Sequence, residues 1–276
     1  MKGSIHTVVG GAVIALLAGF VGTASAQLNE TMVVPFSDPS RPGKIEAHLL
    51  AGTITVRGEN RRDVEVVIRG GESRRPGNER PAPPAGLRRL TQTPGLEITE
   101  ERNELKIESG SMRNGGANLE LRVPLRTNLE LGGVNGGTIT VENVEGEIEI
   151  VHVNGSIVLT NVAGSVVAGT QNGSLTATLS RVMADKAMAF TSFNGKVDVT
   201  LPANIRANFK MRSDNGDILT DFDVQLRQGG DKPSTTRRGP GTHIEVNRAI
   251  YGSVNGGGPE IELRSFNGTI YLRKGQ

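Results

Sequence analysis

The chain has 276 residues, a formal net charge of +2, 37 glycines, no cysteine and no tryptophan. A charge so close to balance gives little electrostatic attraction toward nucleic acid, so nucleic acid is not an expected partner. The lack of cysteine excludes disulfides, cysteine–zinc sites and thiol nucleophiles. Aromatic residues make up 3% of the chain, and a core of valine, isoleucine and leucine with frequent glycine turns favours strands over helices.

The first 26 residues have the pattern of an export signal. Lys2 precedes an apolar stretch over 8–20, and Ala24-Ser25-Ala26 forms the small-x-small sequence that a signal peptidase cleaves. We therefore predict a signal peptide over 1–26 and a periplasmic or secreted protein of the bacterial cell envelope. No later apolar stretch is long enough for a transmembrane segment. Residues 27–276 are predicted to form a single domain.

Alternating apolar residues predict strands from the start of this domain. Two of them, 53–57 and 63–69, are joined by a polar turn, and similar segments follow within 96–110. Two stretches rich in glycine, proline and arginine interrupt the pattern, and we predict loop excursions at 71–95 and 228–242.

The dipeptide Asn-Gly occurs eight times. Five copies, from Asn135-Gly136 to Asn215-Gly216, lie 19, 18, 22 and 21 residues apart, and each begins a short alternating segment. Between 128 and 201 the turns alternate between Asn-Gly and Val-x-Gly, so one circuit of about 18 to 20 residues contains two strand segments. Turn chemistry alone explains the pair, because glycine permits positive φ and asparagine tolerates the left-handed region. Stacked asparagines can also form a ladder of side-chain amides.

The alternation within each segment assigns its two faces. In the segment 192–201, three apolar side chains are predicted to lie inside: Val197, Val199 and Leu201. The residue before Asn-Gly is apolar in five of the eight copies, as at Val153 and Phe193. We predict that this residue stacks inside the core, and that His152, beside Val153, points outward.

These patterns predict an all-β fold, and within that class a single-stranded right-handed β-helix, or β-solenoid, with about 18–20 residues per rung. Stacked rungs would share one core that a single rung cannot bury. An antiparallel β-sandwich is the alternative, because turns every 8 to 12 residues also describe that class and Asn-Gly favours hairpin turns. The fixed circuit length and the alternating turns favour the solenoid.

The segment 213–223 holds the best metal candidates. Its four aspartates offer oxygen ligands of the kind that calcium takes: Asp214, Asp217, Asp221 and Asp223. Their spacing matches neither an EF-hand loop nor the nonapeptide calcium repeat, so solvated strand and turn acids are the favoured interpretation and no metal site is predicted. Asp214 also replaces the apolar residue that usually precedes Asn-Gly.

No catalytic motif supports an enzymatic function. The chain contains neither HExxH nor a G-x-S-x-G elbow, so no catalytic residue and no cofactor is predicted. The glutamates within 142–149 follow a period of two, which indicates an exposed strand face rather than the paired carboxylates of a glycosidase. The enzymatic alternative is a polysaccharide lyase or hydrolase of the parallel β-helix type, which would use the acids of 213–223 with Lys210 and Arg212.

Three segments carry a family resemblance: AGTITVRGENRRDVEVVIRG, VNGGTITVENVEGEIEI and SFNGTIYLRKG. They resemble the bacterial putative-adhesin family of β-strand-repeat domains of unknown function, over roughly 45–272. The resemblance implies a β-helix-like solenoid at the cell envelope and supplies no catalytic residues. We therefore expect a non-enzymatic exported protein, an adhesin or a binding or structural scaffold, with an envelope polysaccharide or protein as its partner. A calcium-dependent adhesion module is a further alternative.

Overall fold

A computed structural model describes residues 29–70, 96–109, 116–227, 234–238, 241–245 and 249–275. These residues form twenty strands and no helix, so the all-β prediction is confirmed. The strands are β1 (Asn29–Pro35), β2 (Gly43–Glu59), β3 (Asp63–Gly70), β4 (Leu96–Glu101), β5 (Glu104–Ser109), β6 (Ala117–Pro124), β7 (Thr127–Glu142), β8 (Glu145–Asn154), β9 (Ile157–Asn172), β10 (Leu175–Val182), β11 (Met188–Asn194), β12 (Val197–Leu201), β13 (Ala207–Ser213), β14 (Ile218–Thr220), β15 (Gln225–Leu226), β16 (Ser234–Arg238), β17 (Gly241–Glu245), β18 (Ile250–Val254), β19 (Glu260–Asn267) and β20 (Ile270–Lys274).

The strands predicted at 53–57 and 63–69 lie within β2 and β3. The predicted signal peptide and the excursion at 71–95 lie outside the described residues. The second predicted excursion is described in part, and there β16 pairs with β17 as an antiparallel hairpin separate from the main sheet. Within the described part of the chain, no helix is long and apolar enough to cross a membrane.

Eighteen strands form one large mixed sheet whose central pairs are parallel. These central strands fall into two sets, because the long strands β7 and β9 pair with different neighbours along their two halves. The first set runs in the spatial order β5, β2, β7, β8, β9, β11, β19, β13. The second set runs in the order β6, β2, β7, β9, β10, β12, β20, β14. Each rung places one segment in each set.

The order of the rungs departs from a simple helix at both ends of the stack. The C-terminal rung, β19 and β20, lies between β11–β12 and β13–β14, although β13 and β14 come earlier in the chain. In the same way, β2 lies between β5–β6 and β7.

Antiparallel strands pair with the outermost parallel strands at both ends of the stack. At one end β4 pairs with β5, β3 with β6 and β1 with β3; at the other, β18 pairs with β13 and β15 with β18. The predicted single-stranded β-helix is therefore not confirmed, because the sheet is mixed and its rungs are partly out of sequence order. The antiparallel ends are of the kind that the β-sandwich alternative predicts.

One continuous hydrophobic core joins the two sets of strands. The predicted inner residues Val197, Val199 and Leu201 are fully buried, as are Ile139 and Ile150 on neighbouring rungs. The alternation of side chains is confirmed, and each rung contributes a few aliphatic residues to a core that it could not form alone. The antiparallel strands at the two ends pair with strand edges that the parallel stack would otherwise leave open.

Candidate binding surface

Six of the seven Asn-Gly pairs that the structure describes lie side by side at one corner of the stack, where a segment of the first set ends. Five of the six asparagines donate a hydrogen bond from Nδ2 to Oδ1 of an asparagine on a neighbouring rung, which confirms the predicted amide ladder, and Asn135 at its end only accepts. The five bonds run from Asn154 to Asn135 (2.8 Å), Asn172 to Asn154 (2.8 Å), Asn194 to Asn172 (2.7 Å), Asn267 to Asn194 (2.8 Å) and Asn215 to Asn267 (2.9 Å). The ladder follows the spatial order of the rungs.

The glycines of these six pairs allow close approach of two backbones rather than positive φ. None of the six has a positive φ. A Cβ on Gly173 would overlap the carbonyl oxygen of Gly155, and a Cβ on Gly195 would overlap that of Gly173. The predicted role of glycine in supplying positive φ was therefore wrong for the six ladder pairs.

The seventh pair forms a true turn. Asn255 and Gly256 have φ values of 52° and 85°, and the N–H of Gly257 donates to the carbonyl of Val254 at 3.0 Å. Positive φ at both central residues is the geometry of the type I′ turn that Asn-Gly favours. This pair lies outside the ladder, and Nδ2 of Asn255 donates to the carbonyl oxygen of Ile205 at 2.8 Å.

Hydroxyl groups two residues before the asparagines form a second column on the inner side of the corner. Each donates to the carbonyl of a ladder glycine in the neighbouring rung. The bonds run from Thr170 to Gly155 (2.8 Å), Ser192 to Gly173 (2.8 Å), Ser265 to Gly195 (3.0 Å) and Ser213 to Gly268 (2.9 Å). Sequence reasoning missed this contact, although serine or threonine lies two residues before four of the six ladder asparagines.

His152 occupies the same inner position before Asn154. Its side chain is buried, so the prediction that it points outward was wrong. It alternates with Ile148 and Ile150 on the inner face of β8. Burial lowers the pKa of the imidazole, and hydrogen bonds to the backbone of Gly137 and Gly133 oppose this shift. Among the described residues, its Nδ1 has no hydrogen-bond partner.

The residues directly before the asparagines lie on the outer face of the first set. Phe193 is 47% exposed and Phe266 is 37% exposed, and their rings stack with centroids 4.7 Å apart. The prediction that this position is buried was therefore wrong at Phe193 and Phe266 of the ladder, whereas Val254, which precedes Asn255, is buried as predicted. Since the hydroxyl column is buried, alternation along the strand turns the next residue outward.

These side chains belong to an apolar band that crosses six strands, which we call the outer strip. It comprises Leu50, Val134, Val151, Val153, Val167, Phe193 and Phe266 on the outer face of the first set. Val151 is 59% exposed and Val167 is 47% exposed. Exposed Gln171 of β9 lies between Val153 and Phe193 and interrupts the strip.

A groove of about 460 Å³ lies at the β2 end of the outer strip. Gly132 and Gly133 lie beneath it, and a Cβ on Gly132 would overlap the imidazole of His48. The groove is lined by residues of the strip together with His48 and three carboxylates, Glu108, Glu130 and Glu149. One end of the strip is therefore acidic.

Ion pairs surround the acidic end. Lys44 Nζ lies 2.7 Å from Glu130 Oε2, and Lys106 Nζ lies 3.4 Å from Glu46 Oε2. The hydrogen bond from Lys44 lowers the pKa of Glu130, and the same bond raises the pKa of Lys44. His48 Nε2 lies 3.3 Å from Glu46 Oε1. These groups make a polar margin beside an apolar surface, which is the composition of many protein interfaces.

The structure does not gather the four predicted aspartates into one site. Asp214 Oδ1 lies 2.8 Å from Arg212 Nη2, and its buried Oδ2 has no hydrogen-bond partner among the described residues. Asp221 Oδ1 accepts a hydrogen bond from the backbone N–H of Lys274 at 2.7 Å. Asp217 and Asp223 are exposed.

Within the described ranges, no three of these aspartates bring ligand oxygens within 4.8 Å of one another. Lys210, the other basic residue of the enzymatic alternative, pairs with Glu262 at 3.4 Å. The charged side chains of this region are therefore engaged in separate contacts.

A scan against protein-family models finds no match, and a search of curated proteins finds none either. Among solved structures, a putative cell adhesion protein from Clostridium sporogenes ATCC 15579 is 11% identical, with a TM-score of 0.48, over 90% of this chain and 100% of that one. A putative adhesin from Bacteroides fragilis NCTC 9343 is 9% identical, with a TM-score of 0.27, over 92% of this chain and 100% of that one. At these identities and TM-scores, the function of this chain is argued from its own residues.

Proposed function

We propose that this protein is an exported, non-enzymatic binding scaffold of the adhesin type, and that the outer strip is its contact surface. The observation that carries the proposal is a row of seven apolar side chains on the outer face of six paired strands, and four of these side chains are exposed: Val151, Val167, Phe193 and Phe266. Exposed apolar patches with a polar rim are typical of sites that bind another protein. The export-signal pattern over 1–26 and the sequence resemblance to the putative-adhesin family support a location at the bacterial cell envelope.

We propose a right-handed β-solenoid closed by antiparallel strands as the architecture behind this surface. Parallel registers such as Asn135 with Asn154 and Asn154 with Asn172, 19 and 18 residues apart, support it. A stack of this kind fixes side chains at the spacing of neighbouring strands, about 4.8 Å. The outer strip is thereby held in place before a partner arrives, which lowers the entropic cost of binding.

The proposed partner is a protein of the envelope, because the strip is apolar and the acidic groove offers a charged margin for orientation. An envelope polysaccharide would instead use the Thr-, Ser- and Glu-rich outer rows of the strands. No step of catalysis is part of the proposal, since Asp214 and Lys210 are each held by an oppositely charged neighbour.

A double variant, Phe193→Ser with Phe266→Ser, tests the proposal. Both rings are largely outside the core, so the variant should fold normally and lose at least about tenfold in affinity for isolated envelope fragments. Leu219→Ser is the matched control, because Leu219 is 49% exposed but lies in the second set of strands. Unchanged retention of the double variant, with a normal thermal midpoint, would show that the strip is not the contact surface. Separate binding to purified wall polysaccharide and to envelope proteins distinguishes the two partner classes.

A further inference from the structure

Three ligand-bearing side chains converge at the acidic end of the first set. Glu46 and His48 lie on β2, two residues apart, and Glu130 lies on the neighbouring strand β7 in register with Glu46. One ligand atom from each lies within 4.8 Å of the other two, and within the described ranges this is the single trio of histidine and carboxylate side chains that does so. The strands position the trio, because residues two apart share a face and in-register residues are adjacent across the sheet.

The distances suit a small metal ion. Zinc binds histidine nitrogen and carboxylate oxygen at about 2.0–2.2 Å, and a tetrahedral arrangement therefore separates its ligands by roughly 3.3–3.5 Å. The measured separation of His48 Nε2 and Glu46 Oε1 is 3.3 Å. Glu130 completes three ligands on one side, which would leave a fourth position open toward the groove.

The surroundings provide both space and charge. Gly132 carries no side chain, and a Cβ there would overlap the His48 ring, so the glycine allows the imidazole to lie against the sheet. Glu108 and Glu149 also line the groove beside His48 and Glu130. Four carboxylates therefore lie around one imidazole, and two of them pair with ammonium groups, Glu130 with Lys44 and Glu46 with Lys106.

We propose that Glu46, His48 and Glu130 bind a divalent transition-metal ion of the zinc class. An imidazole ligand favours zinc over calcium, which takes oxygen ligands in greater number. The ion replaces Lys44 at Glu130 and Lys106 at Glu46, so these two lysines compete with it. The site does not depend on the proposed binding function, and its ligands are distinct from the outer strip and from the aspartates of 213–223.

Isothermal titration of the untagged protein with ZnCl₂ tests the proposal. The expected result is saturable binding at one ion per chain, weakened at least about tenfold by His48→Ala and by Glu130→Gln, because three ligands fix the ion and each contributes. Lys44→Met should tighten binding, because it removes the competing ammonium without touching a ligand. Bound zinc should also raise the thermal midpoint of the wild-type protein by mass action.

Two variants serve as controls. Glu262→Gln alters a Glu–Lys pair on the same face, with Lys210 at 3.4 Å, and His243→Ala alters another histidine of the chain; both should bind zinc as the wild type does. If His48→Ala fails to fold, Glu130→Gln and Lys44→Met still give opposite expected shifts. The proposal is overturned if zinc does not bind, if binding survives His48→Ala or Glu130→Gln, or if Lys44→Met weakens it.

Discussion

At the corner that holds the amide ladder, a hydroxyl, an amide and a glycine act together across neighbouring rungs. In the rung of Ser192, the serine hydroxyl donates to the carbonyl of Gly173, and Asn194 donates to Asn172. Gly195 has no side chain, so the two backbones can approach. The recurring Ser-x-Asn-Gly motif is therefore explained by contacts between rungs.

The amide ladder should contribute to stability in proportion to the bonds that each asparagine makes. Asn172 takes part in two ladder bonds, and Asn135, at the end of the ladder, takes part in one. A neutral hydrogen bond contributes about 0.5–1.5 kcal/mol, so Asn172→Ala should lower the free energy of unfolding by roughly 1–3 kcal/mol. Asn135→Ala should cost about half as much. Equal losses of unfolding free energy for the two variants in urea would contradict a contribution that scales with the number of ladder bonds.

Buried His152 should make stability depend on pH. Burial lowers its pKa in the folded state below the ordinary value of 6.5, so the unfolded chain binds more protons as the pH falls through that value. Stability from the neutral imidazole is therefore present above about pH 6.5 and is lost as the pH falls from there toward the folded-state pKa. Urea unfolding at several pH values between about 7.5 and 5 measures the slope.

His152→Thr is the informative replacement, because Thr170 occupies the equivalent position on the next rung. It should flatten the dependence of unfolding free energy on pH, and His152→Gln, which is also neutral but larger, should do the same. A slope that persists in both variants would assign the acid sensitivity to other groups.

At the scale of the strands, the close approach of backbones makes some glycines far more costly to replace than others. A Cβ on Gly173 would overlap only backbone atoms, of Gly155 and Ser156, whereas a Cβ on Gly132 would overlap the ring of His48. His48 is 44% exposed at its side chain and can rotate away. Gly173→Ala should therefore lower the free energy of unfolding by about 2 kcal/mol or more, and Gly132→Ala by less than about 1 kcal/mol. Similar losses for the two variants would argue against backbone contact as the reason why glycine recurs in the Asn-Gly pairs along the chain.

Much of the strand pattern follows from the sequence alone. The period of two places Val197, Val199 and Leu201 inside, because each hydrophobic side chain gains by burial and a shift of one residue would expose all three. The exposure of the residue before Asn-Gly cannot be predicted from its apolar character in this way. Its apolar character suggests burial, but Ser192 and His152 take the inner position, since only a polar side chain there can bond the glycine carbonyl or backbone of the next rung. Phe193 is then outside.

At the scale of the whole molecule, the order of the rungs could not be predicted from the repeat. The rungs of Asn194, Asn215 and Asn267 carry the same corner motif, so each could in principle stack on either of the others. The exchange of β13 and β19 depends on the antiparallel strand β18, which pairs with β13 and turns through Asn255-Gly256 into β19. The trio of Glu46, His48 and Glu130 could not be predicted from the sequence either, because the pairing of β2 with β7 brings together Glu46 and Glu130, which are 84 residues apart in the chain.

The ladder holds the stack together, and the outer strip is the proposed contact surface. Measurements of the thermal midpoint and of the affinity for envelope fragments in two variants separate these two roles. Phe193→Ser with Phe266→Ser should keep the wild-type midpoint and lose at least about tenfold in affinity. Asn172→Ala should lower the midpoint by several degrees and bind as the wild type does at temperatures where it is folded. The opposite outcome, in which the asparagine variant loses binding while folded and the phenylalanine variant retains it, would contradict the account.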